Sequence, residues 1–341
     1  MDSYPYKDID WKIVCQSKTS LDKITWWYYK EAKEYYLFVM SYEHNKIFIL
    51  NALSGKYIKS MGGLGDKVGQ FDELVDFCIY EDYLMVLEKG NHRVQVFSLP
   101  NLQFIGFIGE LELMNPSCIE AVKLKKDNNE YCCLLIGDNL DNKPSRAKCF
   151  YKFIFELNNE SIYDVICNRI EPENDEKILS ITSIKYDPQF DNLYIVDNFS
   201  KNIKIFNFNC KLKNIILNNF FKGQPGNIQF IFDKKKGLIF IGDFSRIDNF
   251  IHVFDRKMNY YMTLTSNKVL INNCYALLNH NNNKILYSCD DNNCILANRL
   301  YKLSTDTQIK TKSSNNSSMI KEYGVIGMLG SAIAAAMFLK R

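Results

Sequence analysis

Residues 90–101 read GNHRVQVFSLPN. An Asn-His-Arg cluster stands before alternating apolar residues. His92 and Arg93 are therefore either a reactive pair or the start of a strand. The flanking sequence decides for the strand. Apolar residues run from Tyr83 to Leu87, a turn signal follows at Lys89-Gly90-Asn91, and a second run covers Arg93–Phe97. Another turn at Pro100-Asn101 leads into Gln103–Ile108. Within the second run Val94 and Val96 share one face, and Arg93, Gln95 and Phe97 share the other.

The same order of strand, tight turn and strand recurs along the chain. It appears at 35–62, with turns at His44-Asn45 and Ser54-Gly55, and again at 192–217, 237–264 and 284–303. A looser copy at 131–166 carries an insertion after Asp138. The third strands end at Leu50, Phe97, Phe155, Phe206, Phe254 and Ala297, spaced 47, 58, 51, 48 and 43 residues apart. Six such units, with no helical period between them, predict an all-β fold: a six-bladed β-propeller over residues 1–303. The strand-like segment DWKIVCQ (10–16) precedes the first unit, and the sixth lacks an outermost strand. We expect 10–16 to complete that last blade as a clasp; the alternative is a short leader outside the ring. GGLG (62–65) reads as a connection between blades and DKKKG (233–237) as a solvated hairpin turn.

The composition agrees. Aromatic residues make up 14% of the chain and suit half-buried sheet surfaces, whereas Pro numbers only 7. The net charge of +3 leaves no nucleic-acid footprint. The 11 Cys follow no metal-binding spacing: Cys132 and Cys133 are adjacent, and Cys289 and Cys294 lie five apart. The polar N-terminus has no secretory pattern, so free thiols in a reducing compartment are expected. Among four His, His44 and His92 are read as equivalent turn positions; His252 and His280 join no catalytic triad.

Gly69-Gln70-Phe71 followed by Asn91-His92-Arg93-Val94-Gln95-Val96-Phe97 resembles the NHL repeat. Residues 10–303 also resemble the β-propeller phytases and their phytase-like relatives, which are six-bladed. The first blade is matched by 24–58, the fourth by 193–206 and the fifth by 225–256. The resemblance implies calcium ions held by carboxylates at one end of the channel, activating water against a phosphomonoester. Asp22, Asp76, Asp197 and Asp290 match acidic positions and are the residual calcium candidates. Three family acids are replaced: Thr182-Ser183 and Gly226-Asn227 stand for Glu-Gly pairs, and Cys274-Tyr275 for an Asp-Gly pair. The acidic cluster expected after Asp197 is Asn198-Phe199-Ser200. Because each calcium ion takes about six to eight oxygen ligands, these losses point to a scaffold that has shed its chemistry.

After Leu303 the chain becomes Ser- and Asn-rich, a flexible linker over 304–321. An uncharged run from Tyr323 to Leu339 follows, then Lys340-Arg341. As a helix it would be about 26 Å long, close to the hydrocarbon core of a bilayer. Residues 322–341 are therefore read as a C-terminal transmembrane tail anchor. Gly327, Ser331 and Ala335 form a stripe of small residues along it. The alternative is a terminal helix docked on another protein. The expected function is a cytosol-facing propeller that binds or scaffolds a protein partner at one of its ends, on a membrane such as the mitochondrial outer membrane. No cofactor is expected, with calcium as the alternative. The competing function is a calcium-dependent phosphomonoesterase acting on inositol phosphates or phosphorylated headgroups.

Overall fold

A computed structural model describes residues 12–17, 20–126, 129–140, 148–158, 161–172, 177–216, 224–232, 237–244, 249–265, 271–280, 283–290 and 294–300. The chain opens with β1 (Lys12–Gln16). The first sheet is then β2 (Lys23–Tyr29), β3 (Glu34–Ser41), β4 (Lys46–Asn51) and β5 (Tyr57–Gly62). The second is β6 (Leu74–Tyr80), β7 (Tyr83–Glu88), β8 (Arg93–Ser98) and β9 (Gln103–Ile108). The third is β10 (Pro116–Lys126), β11 (Asn129–Asp138), β12 (Cys149–Leu157) and β13 (Ile162–Ile170). The fourth is β14 (Ile181–Asp187), β15 (Asn192–Asp197), β16 (Asn202–Phe206) and β17 (Leu212–Ile216). The fifth is β18 (Gln224–Phe232), β19 (Gly237–Phe244), β20 (Asn249–Asp255) and β21 (Tyr260–Thr265). The last is β22 (Ile271–His280), β23 (Asn283–Asp290), β24 (Cys294–Leu300) and, at its outer edge, β1. Every strand pair is antiparallel, and no helix occurs among the described residues.

The clasp expected from the sequence is present. Lys12 lies opposite Ala297 and Gln16 opposite Cys294, so the start of the chain supplies the missing strand. The first strands of the sheets neighbour one another in turn, β2 by β6, β6 by β10, β10 by β14, β14 by β18 and β18 by β22. Strand β22 then meets β2, which closes a ring. Sheet faces packed against sheet faces explain why apolar residues occupy both parities of each strand. In the second sheet Met85, Leu87, Val94 and Val96 bury against Ile119, Leu134 and Ile136 of the third. The opposite face, with Leu84, Val86 and Phe97, buries against Phe38, Ile47 and Ile49 of the first. At the closure Ile24, Leu37 and Val39 meet Ala276, Leu278 and Tyr287, and the Tyr287 hydroxyl donates to the Ala52 carbonyl at 2.9 Å.

Free thiols are part of this core. Cys78, Cys118, Cys132, Cys133 and Cys149 are buried, and burial pushes Cys118 and Cys133 up to about 12. They act as small apolar side chains and not as nucleophiles.

Deleting residues 1–16 leaves β24 as an unpaired edge of the last sheet. Thermal unfolding of that variant should show Tm lowered by roughly 5–10 °C relative to the full chain. An unchanged Tm would mean that the clasp contributes nothing.

Candidate functional site

The opening motif resolves into a buried polar network. Glu88, the last residue of β7, is fully buried. Its Oε1 accepts from Arg93 Nε at 2.9 Å and from Gln95 Nε2 at 2.8 Å. Its Oε2 accepts from Asn91 Nδ2 and from the Asp72 amide. Gln95 also donates to the Gln70 carbonyl and accepts from the Gly69 amide at 2.9 Å, while Phe71 meets Phe97 edge-on. The Gly-Gln-Phe and Asn-His-Arg signatures thus meet where the connection into the second sheet lies against β7, β8 and the turn between them.

His92 takes no part in that network. It is exposed and holds φ 53°, the left-handed step before β8. Asn45 (φ 49°) and Lys201 (φ 50°) take the same step before β4 and β16. This corrects the pairing of His44 with His92: His44 falls one residue early, and Asn45 is the counterpart. The turn requires a left-handed residue at this step, which Asn accepts more readily than most.

The acid that closes the second strand recurs. Glu88, Asp138, Asp197 and Asp243 occupy this step and are buried, and Asp290 ends β23. Asp138 accepts from the amides of Met114, Asn115 and Leu140 at 2.7–2.9 Å. Asp197 accepts from the amides of Leu179 and Ser180, from the Ser200 hydroxyl and from Lys204 Nζ at 2.9 Å. Asp243 faces His252 Nε2 at 3.2 Å. Gln95, Lys204 and His252 hold the same step of their third strands. An acid ending one strand with a polar partner inside the next is a sequence signal that the repeat reading missed.

Asp22, Asp76 and Asp197, expected together as calcium ligands, do different work. Asp76 is buried on β6. One oxygen accepts from the Phe77 amide at 2.7 Å and pairs with Lys23; the other accepts from the Ile119 amide of the next sheet at 2.9 Å. Lys185 and Glu120 form a second ion pair between neighbouring first strands. Asp22 accepts from the Tyr42 amide at 2.7 Å, and burial raises its pKa. The backbone of Asp290 ends β23, and its side chain lies outside those described.

Bulges change how the missing acids align. The first strands slip register between Leu74 and Asp76, Pro116 and Cys118, Ile181 and Ser183, Pro225 and Ile228, and Ile271 and Tyr275. Thr182 therefore corresponds to Val75 and Ser117, whereas Asp76 corresponds to Cys118 and Ser183. None of the residues inside these bulges is acidic: Val75, Ser117, Thr182, Gly226, Asn227, Asn272, Asn273 and Cys274.

First strands begin and second strands end on one face, the upper face. A cavity of about 610 Å³ opens there, with Asp22, Tyr42, Val75, Lys89, Ser117 and Lys148 in its lining. Asn115, Asn139, Ser180 and Phe199 add amides, a hydroxyl and one aromatic ring. Among the described lining residues Asp22 is the one carboxylate, beside two ammonium groups. This donor set does not fit a cluster of calcium ions, which calls for several anionic oxygens. No cluster of three metal-ligating side chains occurs among the described residues. Tyr323, Gly327, Ser331, Ala335 and Leu339 lie outside the described residues, and no helix among those described is long and apolar enough to cross a membrane.

Replacing Asp197 by Ala strands Lys204, whose side chain is almost wholly buried, and should cost about 3–5 kcal/mol in denaturant unfolding. Adding Lys204→Met should recover part of that loss. Wild-type stability in Asp197→Ala would refute the structural role.

No family model matches the chain, and no curated protein matches it. Solved structures of similar fold do. BBS1N, from its complex with ARL6DN, aligns with a TM-score of 0.52 at 8% identity, over 86% of this chain and 98% of its own. The luciferin-regenerating enzyme gives 0.52 at 8% identity, over 86% and 95%. An exported protein of Bacteroides fragilis gives 0.52 at 12% identity, over 89% and 98%. At such identities the likeness is one of fold alone, and with the ring of four-stranded antiparallel sheets it makes this chain a β-propeller.

Proposed function

We propose that the chain is a closed six-bladed propeller of the NHL and phytase-like type that binds a protein partner and has lost the family chemistry. The observation that carries this reading is the bulge at the start of five of the six first strands, all but β2. The residues there carry no carboxylate, and the acids nearby are committed to backbone amides and ammonium groups. A buried acid satisfied in this way has little to offer a metal. The similar propeller BBS1N forms a complex with ARL6DN, which supports partner binding as a use of the fold.

Residues 322–341 would tether the propeller to a membrane. Leu300 pairs with Lys284 at the start of β23, so the chain leaves its last described strand on the lower face. An uncharged run with basic flanks suits this role.

The full chain in detergent should release no phosphate from phytate, with or without calcium. Calcium-dependent turnover would establish the phosphomonoesterase reading instead. In membrane pelleting the full chain should sediment with vesicles, and a chain truncated after Ser318 should stay in the supernatant. Equal solubility of the two would remove the tether.

A further inference from the structure

Two neighbouring connections on the upper face stand out among the exposed apolar residues. One joins the first sheet to the second (63–73), the other the second to the third (109–115). Leu111 is 96% exposed and Leu64 71%, with Val68 and Met114 more than half exposed beside them. Large apolar side chains in such exposure lose free energy to water unless a partner covers them. Both connections are anchored from below, so these side chains are held outward by a fixed backbone. Asn91 Nδ2 donates to the Gly65 carbonyl at 2.9 Å, and the Arg93 guanidinium to the Asp66 carbonyl at 2.6 Å. The Leu113 amide donates to the Gly109 carbonyl at 3.0 Å, and the Tyr151 hydroxyl to the Glu112 carbonyl at 2.8 Å.

The charge between these apolar groups is predominantly negative. The two connections carry Asp66, Asp72, Glu73, Glu110 and Glu112 against the single Lys67. Lys89 pairs with Glu73 at 2.9 Å, while Asp66 and Glu110 stand exposed next to the apolar tips. Resting on the binding-module reading, we propose that this patch docks a basic amphipathic segment of a partner protein. Its apolar side chains would cover Leu64, Val68, Leu111 and Met114, and its Lys or Arg side chains would meet Asp66 and Glu110. Apolar contact supplies the affinity, and charge selects the partner and orients it. An acidic segment would meet like charge here and be rejected.

The test places a photo-crosslinking residue, Leu111→p-benzoyl-phenylalanine, in the full chain in detergent. A second variant carries the same residue at Leu53, which is exposed in the β4–β5 turn of the lower face. The probes are a biotinylated amphipathic Leu/Lys peptide and its Leu/Glu counterpart. The Leu/Lys peptide should crosslink from position 111 about tenfold more than from position 53, and about tenfold more than the Leu/Glu peptide. Adding Asp66→Lys and Glu110→Lys should abolish the difference between peptides while leaving Tm unchanged, since both side chains are exposed. Equal yields from the two faces, or yields indifferent to charge reversal, would overturn the proposal. Phytate hydrolysis is read on the same samples. Turnover there would sink the binding-module reading itself, whereas absent crosslinks without turnover sink only this assignment of surface and partner.

Discussion

Pairing of β1 with β24 joins the two ends of the described chain within one sheet, and the same sheet closes the ring of first strands where β22 meets β2. Each sheet buries one face on the sheet before and the other on the sheet after. An open ring would leave two large apolar faces in water, one on the first sheet and one on the sixth. The cluster in which Ile24, Val39, Ala276 and Tyr287 meet is the seal at that seam. Bringing distant segments together costs loop entropy, but that cost grows slowly with length, so a few strand hydrogen bonds and one apolar interface suffice to hold it.

A ring of converging strands creates a local problem at its upper face. Bulged first strands and tight turns there leave backbone amides without ladder partners, and a buried amide without an acceptor is costly. The acids that end the second strands supply acceptors. Asp138 and Asp197 each take amides from the segment leading into a first strand, and Glu88 gathers the side chains of the third strand. Their negative charge is balanced within the sheet where a cation is at hand, by Arg93 or Lys204. The same carboxylate that could hold a metal ion is here occupied by the backbone it organises, which ties the proposed loss of chemistry to the stability of the fold.

Period and strand order were legible in the sequence because both follow from alternation and turn chemistry. The third strands and the clasp at Lys12–Gln16 could be read from residues alone, although the strand ends fell up to three residues short, as at Ala297 against Leu300. Register was less legible. A bulge adds a residue without changing composition, so spacing alone does not show that Asp76 and Thr182 sit one step apart. His44 and Asn45 were confused for a related reason: the left-handed step is set by turn length, and either residue type accepts it. What the acids bind could not be read at all, since an Asp that accepts amides and an Asp that ligates calcium are the same letter. The exposed tips of Leu64 and Leu111 were equally hidden, because an apolar residue in a connection reads as core until its surroundings are seen.

The claim that the upper-face carboxylates serve the fold, and not a metal, is tested most directly by thermal unfolding of the full chain in calcium and in chelator. A ligand that binds only the folded state raises Tm by mass action. The account predicts the same Tm, within about 1 °C, at millimolar calcium and in excess chelator. A rise of several degrees that appears only with calcium would contradict it.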